Sequence, residues 1–315
     1  MKFQHIFKLN LVLSLLALAA CSSNKNLAQT QATTKDSYTP LEKSLLWEIS
    51  GNGLKTSSYV FGTIHLIGKE DFFFPTTLED KIKLAERATF EIDMDDMSSM
   101  ESMFKIIGKA FMKDGVTLKD LVTEKEYQAI ETHFKDKGLP LQFLDRMKPM
   151  LLATFASMDM GEGGMEDTKS YEMEIFAKIN EQNKSSEGLE SVEDQLALFD
   201  SIPYKAQARM LVESIKSSNK ENDEYKMMVD LYKKQDIETL AKMSVDDNDS
   251  GLGGYADLFL YQRNKNWIPH FARMMNEKST FFAVGAGHLG GPKGVIQLLK
   301  KAGYKLTPVK MGLGA

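Results

Sequence analysis

Phe281 to Gly291 reads FFAVGAGHLGG, an apolar run that leads straight into a glycine-lined turn carrying one histidine. The run predicts a buried strand. The glycines let the chain turn tightly or approach a ligand closely, and His288 emerges at the strand's end. An earlier stretch repeats the pattern. Aligned on Gly62 and Gly285, VFGTIHLIG (Val60 to Gly68) and AVGAGHLGG (Ala283 to Gly291) share Gly, His, Leu and Gly at four of nine positions. One G-x-x-H by itself reads as a hydrogen-bonded core or turn histidine. Two in one chain read as a duplicated half-site, with His65 and His288 brought to one place by two strand ends.

The first twenty residues carry Lys2 and Lys8, no acidic residue, and an apolar run from Leu9 to Ala20 broken by Asn10 and Ser14. This pattern predicts a secretory signal over 1–20. The run is short for a membrane span. It ends Leu18-Ala19-Ala20-Cys21, which resembles a bacterial lipobox and implies that Cys21 is acylated and becomes the first mature residue. Residues 21–40 are then a lipidated cysteine and a tether of Ser, Asn, Gln, Thr and Lys. The chain is expected to sit in the cell envelope, anchored to a bacterial membrane and facing the periplasm or exterior. Cys21 is the only cysteine, so disulfides and thiol chemistry are excluded from the mature domain. Losing the leader moves the formal charge from −5 to −7, because Lys2 and Lys8 leave with it. An acidic chain with no basic cluster argues against nucleic acid as a partner.

Residues 41–315 read as one domain. Leu45 to Ser50 and Ser58 to Phe61 are predicted strands joined by a turn at Gly51-Asn52-Gly53. Thr76 and Glu79 suggest a capping box on a helix with the stripe Leu78, Ile82, Leu84 and Ala85. Ala88 to Ile92 reads as a strand whose continuation places Glu91 and Asp93 on one face. The middle is helical. Met97 to Met112 is rich in methionine, which fills cores or, less commonly, lines a groove for apolar ligands. Thr123 to Lys137 opens on a Thr123/Glu126 capping box and carries His133, read as a surface residue. Met160 to Thr168 reads as a loop and Lys169 to Gln182 as a helix. Gly188 then predicts a turn that leaves Glu190 in a loop before a helix capped by Ser191 and Asp194. Ala206 to Met243 gives two helices. Asp246 to Gly251, with Asp257, loosely resembles a calcium loop but reads as a solvated turn. Tyr255 to Glu277 is a predicted helix bearing Arg263, Asn264, Trp267 and His270. Pro292 opens the next helix, which ends at Gly303, and Lys305 to Val309 reads as a last strand.

Five motifs in order, VFGTIH, FEID, GLES-x-x-DQ, RN-x-x-W and GAGHLGGPKGV, resemble the TraB/GumN family, which is related to the Tiki metalloproteases. The resemblance covers most of Leu45 to Val309. It implies an α/β (α+β) fold: a central mixed sheet, two strand-ended G-x-x-H half-sites and a large helical insertion. It also implies a divalent-metal-dependent hydrolase, a peptidase in the Tiki branch, acting on peptide or protein. Matched residue by residue, His65 and His288 are the motif histidines, Glu91 and Glu190 the motif carboxylates, and Arg263 the motif arginine. One position departs. Many members have Gly-x-Asp where this chain has Ser170-Tyr171-Glu172, which leaves the role of that aspartate unassigned here.

The chemistry agrees with the resemblance. Two neutral imidazoles and a carboxylate can hold a divalent ion (Mn, Co, Zn or Fe) with an open position, and a second carboxylate can take a proton from bound water. Arg263 can stabilise an oxyanion. His65 and His288 are then metal ligands, Glu91 a ligand or base, and Glu190 a base or an orienter. Two other readings use the same residues: a lipoprotein that binds haem or another apolar ligand, since paired histidines with methionines suit haem, and an interaction protein working through the methionine-rich helices.

Overall fold

The computed structural model describes residues 38–94, 106–157, 167–245 and 253–312. Its strands in chain order are β1 (Leu46–Ser50), β2 (Ser58–Thr63), β3 (Ile67–Gly68), β4 (Arg87–Ile92), β5 (Thr168–Lys169), β6 (Ser185–Glu190), β7 (Thr280–Gly285) and β8 (Lys305–Pro308). The helices are α1 (Thr76–Leu84), α2 (Glu124–Asp136), α3 (Pro149–Ser157), α4 (Tyr171–Glu181), α5 (Val192–Asp200), α6 (Tyr204–Lys233), α7 (Ile237–Met243), α8 (Gln262–Glu277) and α9 (Val295–Lys301). Six strands form one mixed sheet in the order β6-β4-β7-β2-β1-β8, and β3 pairs with β5 separately.

The two apolar runs become the centre of the sheet. Every residue of β2 and β7 is buried, and the strands pair in parallel with Gly62 opposite Val284 and Thr63 opposite Gly285. Continuous apolar strands covered on both faces are what a parallel arrangement demands. β4 pairs in parallel with β7 and β6 in parallel with β4, whereas β1 runs antiparallel to both β2 and β8. Four adjacent parallel strands therefore end at one rim, the edge of open α/β sheets where ligands gather. The β1–β2 hairpin turns through Asn52 and Gly53 at φ 46° and 82°, as its sequence required.

The main core joins the sheet to α1, α4, α8 and α9 through residues such as Phe61, Phe281, Ile175, Phe271 and Leu299. The helices between β4 and β6 pack with α6 in a second core, where Phe134, Leu152 and Leu211 meet. α6 belongs to both, and its far end returns to the sheet, where the Tyr232 hydroxyl donates to the Gly62 carbonyl at 2.9 Å.

Several expectations are corrected. Thr76 and Glu79 form no capping box: α1 begins after Pro75, whose carbonyl accepts from Leu78 and Glu79, and Glu79's side chain turns to Lys83 and Lys178. Leu84, placed in the buried stripe, is 61% exposed. Gly188 to Glu190 is strand rather than turn. With only Leu189 buried in SSEGLE, an edge strand carries no alternation to read. The helix expected from Tyr255 starts with a 3-10 turn and a π turn over Asp257–Tyr261, so α8 begins at Gln262, and α9 begins at Val295 rather than Pro292. The capping boxes at Thr123/Glu126 and Ser191/Asp194 are present. Most of Met97 to Met112, the 160–166 loop and the Asp246 to Gly251 turn lie outside the described residues.

Candidate functional site

His65 and His288 leave the carboxyl ends of neighbouring strands β2 and β7, Glu91 lies near the end of β4, and Glu190 is the last residue of β6. The sheet thus brings together four of the residues the sequence singled out. Arg263 reaches them from the first turn of α8, with only 8% of its surface exposed.

Each histidine is held by its Nδ1. The His65 Nδ1 stands 2.7 Å from Glu172 Oε1, the same oxygen that accepts from Thr63 Oγ1 at 2.6 Å. Glu172's other oxygen accepts from Ser170 Oγ at 2.9 Å. A carboxylate can only accept, so Nδ1 carries the proton and Nε2 is directed away from Glu172. Burial pushes the His65 imidazole down, but the charge and hydrogen bond of Glu172 outweigh it and hold the ring above its ordinary value. His288 Nδ1 faces Asn264 Oδ1 at 2.6 Å. Asn264's amide nitrogen donates to the carbonyls of His288 and Lys293 at 3.4 and 3.0 Å, which leaves Oδ1 to receive the imidazole proton. His288 is fully buried under Trp267, ring centroids 4.5 Å apart, and burial pushes its pKa down to about 3. It is a neutral ring with its lone pair at Nε2. The 3.7 Å approach of that atom to Glu91 Oε1 is therefore not an ion pair at neutral pH.

The space these groups share lies over Gly285. A Cβ there would stand 3.3 Å from Glu91 Oε1, 3.5 Å from His288 Cδ2 and 3.9 Å from His65 Nε2. Glu91 Oε1 also accepts from the Gly285 N–H at 2.8 Å, and Oε2 accepts from Arg263 Nη2 at 2.6 Å. Burial would raise this carboxyl, yet Arg263, both imidazoles and the Gly285 N–H together hold it well below the carboxylate range.

Glu190 does something different. Its Oε1 accepts from Arg263 Nε at 2.8 Å, from Arg263 Nη2 and from Gln195 Nε2 at 2.8 Å, and its Oε2 accepts from Trp267 Nε1 at 3.2 Å. With those donors around it, Glu190 fixes the guanidinium. Arg263 Nη1 then reaches the Phe259 carbonyl at 3.1 Å and His288 Nε2 at 3.3 Å.

Could these residues hold a metal? The donor chemistry suits one: two imidazoles, each with its Nδ1 proton given to an acceptor, the outer arrangement that orients metal-ligating histidines, and a carboxylate held ionised beside them. Yet no group of three or more His, Cys, Asp or Glu among the described residues is set closely enough to enclose an ion. Arg263 Nη1 and Nη2 stand on the flank shared by His288 and Glu91.

A family model described as the TraB/PrgY/gumN family matches residues 45–308, from the residue before β1 to the end of β8. The chain belongs to this family. Among curated proteins it is similar to a "Metalloprotease TIKI homolog" of Nematostella vectensis, 20% identical over 340 residues, which cover 87% of this chain and 69% of that protein. It is also similar to "Metalloprotease TIKI1" of Danio rerio, 19% identical over 325 residues, covering 85% and 64%. The chain thus spans about two thirds of these relatives' length. No solved structure matches it significantly.

In this TraB/PrgY/gumN chain the sequence did not assign three groups that the fold brings in. Glu172 is the first. The glutamate of Ser170-Tyr171-Glu172 supplies a carboxylate to His65 from the first turn of α4, with Ser170 capping that helix. The departure from Gly-x-Asp was visible, but nothing local said the side chain pointed at a histidine 107 positions away. Asn264 stood inside the RN motif without a role, and Gln195 inside GLES-x-x-DQ. The other two histidines among the described residues stay apart from the site. His133, expected at the surface, is half-buried with Nε2 3.1 Å from the Ala156 carbonyl, and His270 is exposed on α8.

Proposed function

We propose that this protein is a divalent-metal-dependent hydrolase of the peptidase type, with His65, His288 and Glu91 as the ligand set. The observation that supports it most is the pair of buried imidazoles from adjacent parallel strands, each Nδ1 engaged by an acceptor, gathered with Glu91 over Gly285. The two metalloprotease relatives favour the same chemistry. A bound ion would supply Lewis acidity and an acidified water.

The chain's own residues divide the rest of the work. Glu172 and Asn264 hold the two rings and keep their Nδ1 protons, so that both present Nε2. Glu91, ionised and touching the same space, is the carboxylate placed to bind or to accept a proton there. Glu190, Gln195 and Trp267 aim Arg263, whose guanidinium, beside His288 and Glu91, would be the donor available to negative charge developing over Gly285.

We place the enzyme in the cell envelope, held to a membrane by a lipid on Cys21. Among the described residues no helix is long and apolar enough to cross a membrane. Cys21→Ser should move the protein from the membrane to the soluble fraction, and retention there would remove the lipid anchor from the account.

The activity is tested with a mixed peptide library scored by mass spectrometry. Cleavage should stop with chelator, return with added Mn, Co or Zn, and fall about a hundredfold or more in Glu91→Gln. Cleavage that survives both treatments would overturn the mechanism.

A further inference from the structure

Asn264 and Trp267 hold the His288 ring from α8, but the backbone that carries the ring is gripped by α7. A Cβ on Gly287 would stand 2.5 Å from Ser244 Oγ, just past the end of α7, and one on Gly290 would overlap the Ile237 carbonyl at its start. Only residues without a side chain let a helix sit this close to the turn.

A third grip is polar. Glu238, in the first turn of α7, accepts at Oε1 from the Gly291 N–H at 3.3 Å, three residues beyond His288. The same oxygen accepts from the Leu41 N–H at 3.2 Å and from the Tyr38 hydroxyl. Burial and the neighbouring Glu238 push the Tyr38 phenol up, so at neutral pH it keeps its proton and donates. One carboxylate oxygen thus ties the His288 loop to the segment that leads into β1.

That segment is fixed at further points. Lys43 Nζ stands 2.8 Å from Asp236, the cap of α7, and the Leu45 N–H donates to Gln235 Oε1 at 3.4 Å. The Leu45 carbonyl accepts from the N–H of Gly62, the glycine of the first G-x-x-H, at 2.8 Å. Residues 38–45 therefore bond the β2 half-site directly and reach the β7 half-site through Glu238.

We propose that Glu238 is a positioning residue for His288: by gathering Tyr38, Leu41 and Gly291 it braces the His288 loop against the segment that also holds β2, and so sets where the two histidines stand relative to each other. The geometry is independent of any bound ion, while the consequence for binding rests on the metal-site reading. Alanine at 238 removes the shared acceptor, whereas glutamine keeps an oxygen that all three donors can reach.

The full-length protein in non-ionic detergent is compared with Glu238→Ala, Glu238→Gln and Tyr38→Phe. With EDTA present, hydrogen exchange read by mass spectrometry should be about tenfold faster across residues 286–293 in Glu238→Ala, with the α9 peptide unchanged. Co²⁺ titration, followed by the visible absorption of the bound ion, should give an affinity about tenfold or more lower in Glu238→Ala and within about threefold of the parent in Glu238→Gln. Tyr38→Phe should fall between them, and it carries the same comparison if Glu238→Ala does not fold. Unchanged exchange at 286–293 would overturn the proposal. So would faster exchange with parental Co²⁺ affinity, which would make Glu238 merely structural, or a glutamine variant as weak as the alanine one. A parent that takes up no Co²⁺ would instead remove the metal-site reading, and the exchange result would then decide the brace by itself.

Discussion

Replacing Arg263 by methionine keeps an apolar stem against Trp267, over whose ring the guanidinium carbon lies at 4.9 Å, and removes only the charged head. That head is 9% exposed, between Glu91 and Glu190 at 12% and 13%. Deleting the cation leaves two buried carboxylates sharing little more than Gln195, Trp267 and one backbone N–H. Removing one partner of such a buried pair costs about 3–5 kcal/mol, because the remaining charge stays desolvated. For a chain of this size that corresponds to roughly 6–10 °C in Tm at about 2 °C per kcal/mol. The pH dependence gives the stricter test. In the parent, Glu91 is depressed by Arg263, so its contribution is fully present above the ordinary carboxylate range and is lost only as pH falls through its depressed folded value. In Arg263→Met the burial penalty is no longer offset, the folded pKa of Glu91 rises, and stability relative to the parent should recover as pH falls from 7 to 5. Urea denaturation of both proteins across that interval measures it. A loss under about 1 kcal/mol, or a gap between parent and variant that does not narrow toward pH 5, would refute the charge-compensation argument.

Gly285→Ala places a methyl 3.3 Å from Glu91 Oε1 and 3.5 Å from His288 Cδ2 while the backbone tolerates it; metal affinity by competition titration should fall at least tenfold with little change in Tm. Glu172→Gln removes the charge that raises His65, and such outer partners of metal ligands are worth about ten- to a hundredfold in affinity. The same variant changes the pH profile. His65 is raised in the fold, so its contribution is present below the unfolded value and lost as pH rises through the folded one, and in Glu172→Gln this alkaline loss should disappear from urea midpoints between about pH 6 and 9.

The sheet was legible where its sequence had no alternative. Runs as apolar as FFAVG have to be covered on both faces, and a glycine and histidine at their ends mark the rim. The two histidines meet because β2 and β7 are parallel neighbours, although the sequence offset of the two motifs differs by one residue from the register of the sheet, in which Thr63 faces Gly285. β6 was not legible, because an edge strand with one buried residue has no periodicity to show. Nor was the difference between the two glutamates. Glu91 and Glu190 look alike in sequence, and only the approach of α8 gives Trp267 and two Arg263 nitrogens to Glu190, while Glu91 takes one Arg263 nitrogen and the Gly285 N–H beside the imidazoles. Glu172 was out of reach for the same reason, being brought to His65 by the packing of α4 and not by any local pattern.

The central claim is that His65 and His288 are two halves of one metal site. Metal content per chain, measured by plasma mass spectrometry on protein purified after growth with Mn, Zn, Co and Fe, tests it in four variants side by side. His65→Gln and His288→Gln should each lose a divalent ion that the parent carries at about one per chain, the stoichiometry of a single-ion site. His133→Gln and His270→Gln should keep it. The same metal content in all four variants, or a parent that binds none under any of these conditions, would contradict the account.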